Sequence, residues 1–100
     1  MRLSKFEIES IKSLAGLHFG TDVEVFLFGS RTDNHQRGGD IDLFISNPAG
    51  KQLKVRSKIK FVTDLILLIG EQRIDVVLDN NEKKDSILFK TIHNTGIRLC

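Results

Sequence analysis

The sequence predicts an α+β fold, a mixed β-sheet with helices packed on it, and three observations predict it. Three short apolar runs, VEVFLF (23–28), DIDLFIS (40–46) and RIDVVL (73–78), are rich in β-branched and aromatic residues and are bounded by Gly, Asn or Pro. Two longer stretches, 4–18 and 51–69, repeat their apolar residues at helical spacing. The second and third runs are separated by one of those helices, which implies a crossover connection, whereas the first and second are joined by a loop that also allows an antiparallel pair. The expected order is α-β-β-α-β-α-β.

Each element has a local cause. Ser4 and Glu7 fit a capping box, so a helix starts there; Phe6, Ile8, Ile11, Leu14, Ala15 and His18 continue it, and Gly20 stops it. Residues 23–28 then read as a buried strand ended by Gly29. The polar stretch 30–39, closing on Gly38-Gly39, reads as a loop, 40–46 as the second strand, and Asn47-Pro48-Ala49-Gly50 as a turn. In the helix over 51–69, Val55, Ile59, Val62, Ile66 and Ile69 form the expected core-facing stripe, with Gly70 just past the end. Residues 73–78 make the third strand, Asp79-Asn80-Asn81 a turn, 83–93 a short helix and 97–99 a terminal strand.

Composition narrows the class. One hundred residues suit one domain, taken as 1–100, with 40% hydrophobic and 28% charged residues. A net charge of +2 gives no footing for nucleic-acid binding. The one cysteine, Cys100, has no disulfide partner, the N-terminal segment has no signal-peptide core, and the longest apolar run, 65–69, is far short of a membrane span. The expected location is the cytoplasm, away from membranes.

The carboxylates are the anomaly. Asp40 and Asp42 alternate with apolar residues, so they share one face of a strand, about 6.6 Å apart along it. Asp75 interrupts the apolar run of a different strand. Carboxylates brought together near a core are costly to desolvate and repel one another by roughly 4 kcal/mol at 4 Å and moderate dielectric. A divalent cation resolves both problems, and hard oxygen ligands with open positions suit Mg²⁺ and phosphate chemistry. Gly29-Ser30 at a strand end allows close backbone approach and offers N–H groups and a hydroxyl to an anion, and Arg31 adds a guanidinium. Read blandly, Asp residues at strand mouths are turn or cap residues. The pairing of phosphate donors with acids across one loop favours the functional reading.

Gly29-Ser30, nine intervening residues, Asp40-Ile41-Asp42 and a later strand carrying Asp75 together resemble the signature of the DNA polymerase β-like nucleotidyltransferase superfamily, and the short length resembles its minimal nucleotidyltransferase (MNT) group. The resemblance runs from about Phe6 to Leu99 and is most specific over 28–45. Many members carry a second arginine where this chain has Asp33. The resemblance implies that Gly29 and Ser30 hold the terminal phosphates of ATP, with Arg31 beside them. It implies that Asp40 and Asp42 bind two Mg²⁺ ions and that Asp75 completes the site and helps activate the attacking hydroxyl. The implied reaction transfers AMP to that hydroxyl and releases pyrophosphate. The implied partner is a helical HEPN protein, in a hetero-oligomer, with this chain acting as antitoxin by adenylylating a HEPN tyrosine. These 100 residues contain no Tyr, so tyrosine self-modification among them is impossible.

Other readings stay open. The chain could neutralise a HEPN partner by complex formation alone, with nucleotide binding at most regulatory, or transfer nucleotides to RNA or a small molecule. Lys51, Lys54, Arg56, Lys58 and Lys60 read as a solvated face. His18 and His93 read as surface or helix-end residues, Asp33, His35 and Arg37 as loop residues, and Phe6, Phe19, Phe26, Phe28, Phe44, Phe61 and Phe89 as core.

Overall fold

The structure, a computed structural model, describes residues 3–29, 41–47, 53–79 and 96–100. Over these residues the elements are α1 (Lys5–Phe19), β1 (Glu24–Phe28), β2 (Ile41–Ser46), α2 (Val55–Ile69), β3 (Ile74–Leu78) and β4 (Ile97–Arg98). The expected loop over 30–39 and helix over 83–93 lie outside the described residues, as does Phe89.

The strands form one mixed sheet in the order β3-β2-β1-β4. β1 runs antiparallel to β2 and to β4, while β2 and β3 are parallel, with α2 as the crossover between them. A parallel pair cannot be closed by a tight turn, so a helix-length connection is needed there and not between β1 and β2.

The inward faces of the strands carry Val25, Leu27, Ile41, Leu43, Ile45 and Val76. These pack with Ile11, Leu14, Ala15 and Phe19 of α1 and Phe61 and Leu65 of α2 into one buried core. Each such side chain removed from water contributes about 1.5–3 kcal/mol. The two helices run antiparallel: Glu7 near the start of α1 meets Gln72 just past the end of α2, and His18 at the end of α1 meets Asp64.

The capping box at α1 is fully formed, with the Glu7 N–H donating to Ser4 Oγ at 3.1 Å and the Ser4 N–H to Glu7 Oε1 at 2.9 Å. Gly20, at φ 104°, ends the helix and donates to the Gly16 carbonyl. Asn47, expected only as a turn residue, is buried and donates from Nδ2 to the Phe19 carbonyl, closing the same helix end.

Three expectations are corrected. α2 begins at Val55 and not at residue 51: Lys54 is its N-cap, without a capping side-chain bond, and its first turn has no acidic residue. Its core-facing residues are Phe61 and Leu65, with Val62 and Ile69 of the expected stripe packed beside them, whereas Val55 and Ile59 of that stripe are 64% and 61% exposed. The expected stripe therefore holds in the C-terminal part of α2 and fails at its start. Phe6, expected in the core, is 59% exposed.

Candidate active site on the face away from α1 and α2

Side chains alternate along a strand, so the residues between the inward-facing ones lie on the other side of the sheet. That face carries three rows. Phe28, Asp42 and Asp75 are register partners across β1, β2 and β3. Phe26, Phe44 and Val77 follow as an apolar row, with the Phe26 and Phe44 rings 6.2 Å apart. Glu24, Ser46 and Asp79 make the third row, in which Ser46 Oγ donates to Asp79 Oδ2 at 3.0 Å and Arg98 Nη2 lies 3.6 Å from Glu24 Oε2.

The first row is the candidate site. Asp42 and Asp75 come from neighbouring parallel strands in direct register, so their backbones are about 4.8 Å apart by the ordinary strand spacing. Asp42 is half-buried and Asp75 exposed. The sequence thus delivers two carboxylates to one spot from strands separated by a whole helix. Their parity explains it: Asp42 sits between buried Ile41 and Leu43, and Asp75 between Ile74 and buried Val76, so burying the apolar residues under α1 and α2 turns both acids to the other side of the sheet.

Gly29 adjoins them. It leaves β1 at φ 76°, and a β-carbon added there would collide with Asp42 Oδ2 and lie 3.2 Å from Asp42 Cγ. Sequence reading assigned Gly29 to close approach of a ligand; the structure shows that the space is filled first by the carboxylate of Asp42. Phe28, expected only as core, is half-buried and stands directly beside Asp42 in the register. A one-sequence pattern gives no signal for that neighbourhood, because it depends on the β1–β2 register.

Asp40, Ser30 and Arg31 lie outside the described residues. Among the described residues no group of three or more His, Cys, Asp or Glu side chains stands ready as a metal site. Two acids in register with an open side are nevertheless a fitting donor pair for a hard divalent cation, which takes oxygen ligands and keeps several waters. His18, expected as a surface or helix-end residue, is at the helix end and largely buried, its Nε2 2.7 Å from Asp64 Oδ2 and its ring edge-on to Phe61. It belongs to the opposite, helix-covered side and takes no part in this site. Among the described residues no helix is long and apolar enough to cross a membrane.

No curated protein matches the chain. The nucleotidyltransferase domain, however, matches residues 8–95, most of the chain, including Gly29 and both aspartates. The two helices and four-stranded mixed sheet agree with the polymerase β-like nucleotidyltransferase core that the sequence resembles, and the size agrees with a minimal member. The chain belongs to the nucleotidyltransferase domain family, whose chemistry is nucleotidyl transfer.

Proposed function

We propose that this protein is a Mg²⁺-dependent nucleotidyltransferase that moves AMP from ATP to a hydroxyl of a partner protein. The observation that carries the reading is the registered pair Asp42 and Asp75 on the sheet face away from α1 and α2, with Gly29 leaving room for the Asp42 carboxylate. Asp40, Asp42 and Asp75 would hold Mg²⁺, two ions in all, and the metal would supply charge neutralisation along the triphosphate. Gly29, Ser30 and Arg31 bind the phosphates beyond the reacting one. The acceptor oxygen forms a bond to the α-phosphorus, the bond to the bridging oxygen breaks, and pyrophosphate leaves. Asp75, the more exposed acid, takes the hydroxyl proton. The protein's own contribution is position and charge more than covalent chemistry.

The acceptor we assign is a tyrosine of a helical HEPN-type toxin in a cytoplasmic hetero-oligomer, so that adenylylation makes this chain an antitoxin. A second reading, neutralisation by complex formation alone, draws on the exposed apolar residues Phe6, Leu17, Val55, Ile59 and Leu67 of the two helices, a surface suited to contact. One experiment separates the two. The protein is incubated with Mg²⁺, ATP labelled at the α-phosphate and lysate of its source, beside Asp40→Asn and Asp42→Asn controls. The expected result is a labelled protein band, reduced at least about 100-fold in both controls. Label in RNA or a small molecule replaces the acceptor. No label in a lysate shown to contain the partner, with neutralisation intact in both variants, overturns transfer in favour of binding alone.

A further inference from the structure

The register between β2 and β3 decides whether the two aspartates meet. A slip of one residue would turn Asp75 toward the helices and Ile74 and Val76 outward. Burial of one face opposes such a slip, and because a parallel pair has no tight turn to add to that, the junction where the crossover helix feeds the next strand is the second place where the register can be held. That junction is the segment Gly70–Arg73, and a side chain from another element grips it.

Glu7 of α1 uses its two carboxylate oxygens differently. Oε1 accepts from the Ser4 N–H, which is all the capping box requires. Oε2 accepts from Gln72 Nε2 at 3.1 Å, a partly buried bond spanning 65 residues of chain. Gln72 Nε2 also donates to the Ile69 carbonyl at 3.3 Å, closing the last turn of α2. The next residue, Arg73, accepts from the Ile41 N–H at 3.0 Å, and the pairs Ile41–Ile74 and Asp42–Asp75 follow. Hydrogen bonds therefore run from the α1 cap through Glu7 to Gln72, and the adjoining residue Arg73 carries the connection by its carbonyl to Ile41, the strand residue beside Asp42.

We propose that Glu7 is a positioning residue for the acidic pair: through Gln72 it fixes where β3 delivers Asp75 opposite Asp42. The proposal rests on the reading of Asp42 and Asp75 as metal ligands. It separates Glu7 from a plain helix cap, because Ser4→Ala removes capping while leaving the Glu7–Gln72 bond, and Gln72→Met removes that bond while leaving the cap.

The test measures Mn²⁺ affinity of the whole chain by titration, in parallel with thermal melting. Gln72→Met is expected to weaken Mn²⁺ binding about tenfold, the lower end for groups that orient metal ligands from outside. Ser4→Ala is expected to lower the melting temperature and leave Mn²⁺ affinity unchanged. The exchange Glu7→Gln with Gln72→Glu rebuilds the 7–72 bond with donor and acceptor reversed, and is expected to bind Mn²⁺ more tightly than Gln72→Glu alone. Wild-type affinity in a folded Gln72→Met variant, or equal losses in Ser4→Ala and Gln72→Met, overturns the positioning role. Mn²⁺ binding that is indifferent to Asp42→Asn overturns the metal reading itself, and the role of Glu7 with it.

Discussion

The two faces of the sheet differ by one residue of strand parity and by everything else. On one face Leu27, Leu43 and Ile45 are sealed beneath two helices. On the other, one position away, half-buried Asp42 and exposed Asp75 stand in register with Phe28. The same five- and six-residue strands thus supply stability inward and chemistry outward. Burying the apolar set exposes the acids, so the fold energy of the first face is what aims the second.

The largest effect comes from exchanging the faces. Leu43→Asp places a carboxylate, with no partner built for it, in the sealed core, at a cost of several kcal/mol against a total stability of about 5–15. It should abolish the cooperative melt seen by circular dichroism. Asp42→Leu, at the adjacent residue, should keep a cooperative melt and lose nucleotidyl transfer. If both variants unfold, the two faces do not divide the labour in this way.

Next in size is a test of which stripe of α2 meets the sheet. Phe61 is fully buried against Phe19, with ring centroids 5.4 Å apart, while Ile59 lies mostly in solvent. Phe61→Ala should cost about 3–5 kcal/mol, a fall of more than about 12 °C in melting temperature. Ile59→Ala should stay within about 0.5 kcal/mol. Comparable losses at both positions would restore the stripe read from the sequence.

That contrast also marks how far the sequence was legible. The capping box, the glycine stops, the strand cores and the antiparallel option for β1 and β2 were readable because each depends on neighbours in the chain. The start of α2 was not legible because no side chain caps it and the sequence from Lys51 to Lys54 holds no breaker. The core face of α2 was legible only in part: Val62 and Ile69 of the expected stripe do pack against the core, but Val55 and Ile59 stay exposed and Phe61 and Leu65 take the centre, a choice made by contact with α1 and the sheet. His18 with Asp64 and Glu7 with Gln72 were invisible for a plainer reason: their partners lie 46 and 65 residues away. At the site, the residue types of Asp42 and Asp75 and their strand parity were readable, while the register that joins them was not.

A smaller effect compares two glycines with the same backbone sign. Gly70, at φ 96° and ψ 168°, has open space where a β-carbon would go, so Gly70→Ala should cost only the conformational strain, about 1–3 kcal/mol. Gly29, at φ 76°, meets the Asp42 carboxylate as well. Gly29→Ala should therefore lose more stability than Gly70→Ala and, unlike it, lose most of its transfer per folded molecule, because Asp42 must swing away. Equal transfer by the two variants would show that the Gly29–Asp42 contact does not matter to the chemistry.

The smallest expected effect lies at the margin of the buried core, where Cys100 packs beside β1 and its Sγ lies 3.9 Å from the Val23 carbonyl. Desolvation pushes its thiol pKa up, against the opposing pull of a backbone hydrogen bond at Val25 and the charges of Lys12 and Arg98. The folded chain thus holds the thiol proton to higher pH than the unfolded chain does. The associated stabilisation is complete below the ordinary thiol range and is lost as pH rises through the raised value. Urea unfolding of the wild type and of Cys100→Ser should show a difference that is constant near neutral pH and shrinks as pH rises through and above the ordinary thiol range. Alkylation at about pH 8 should be slower in the folded chain than in urea, since only the thiolate reacts. A pH-independent difference between the two proteins would mean that the margin of the core is wetter than the packing of Cys100 requires, and that the boundary between the sealed and open faces runs inside β4 and not beyond it.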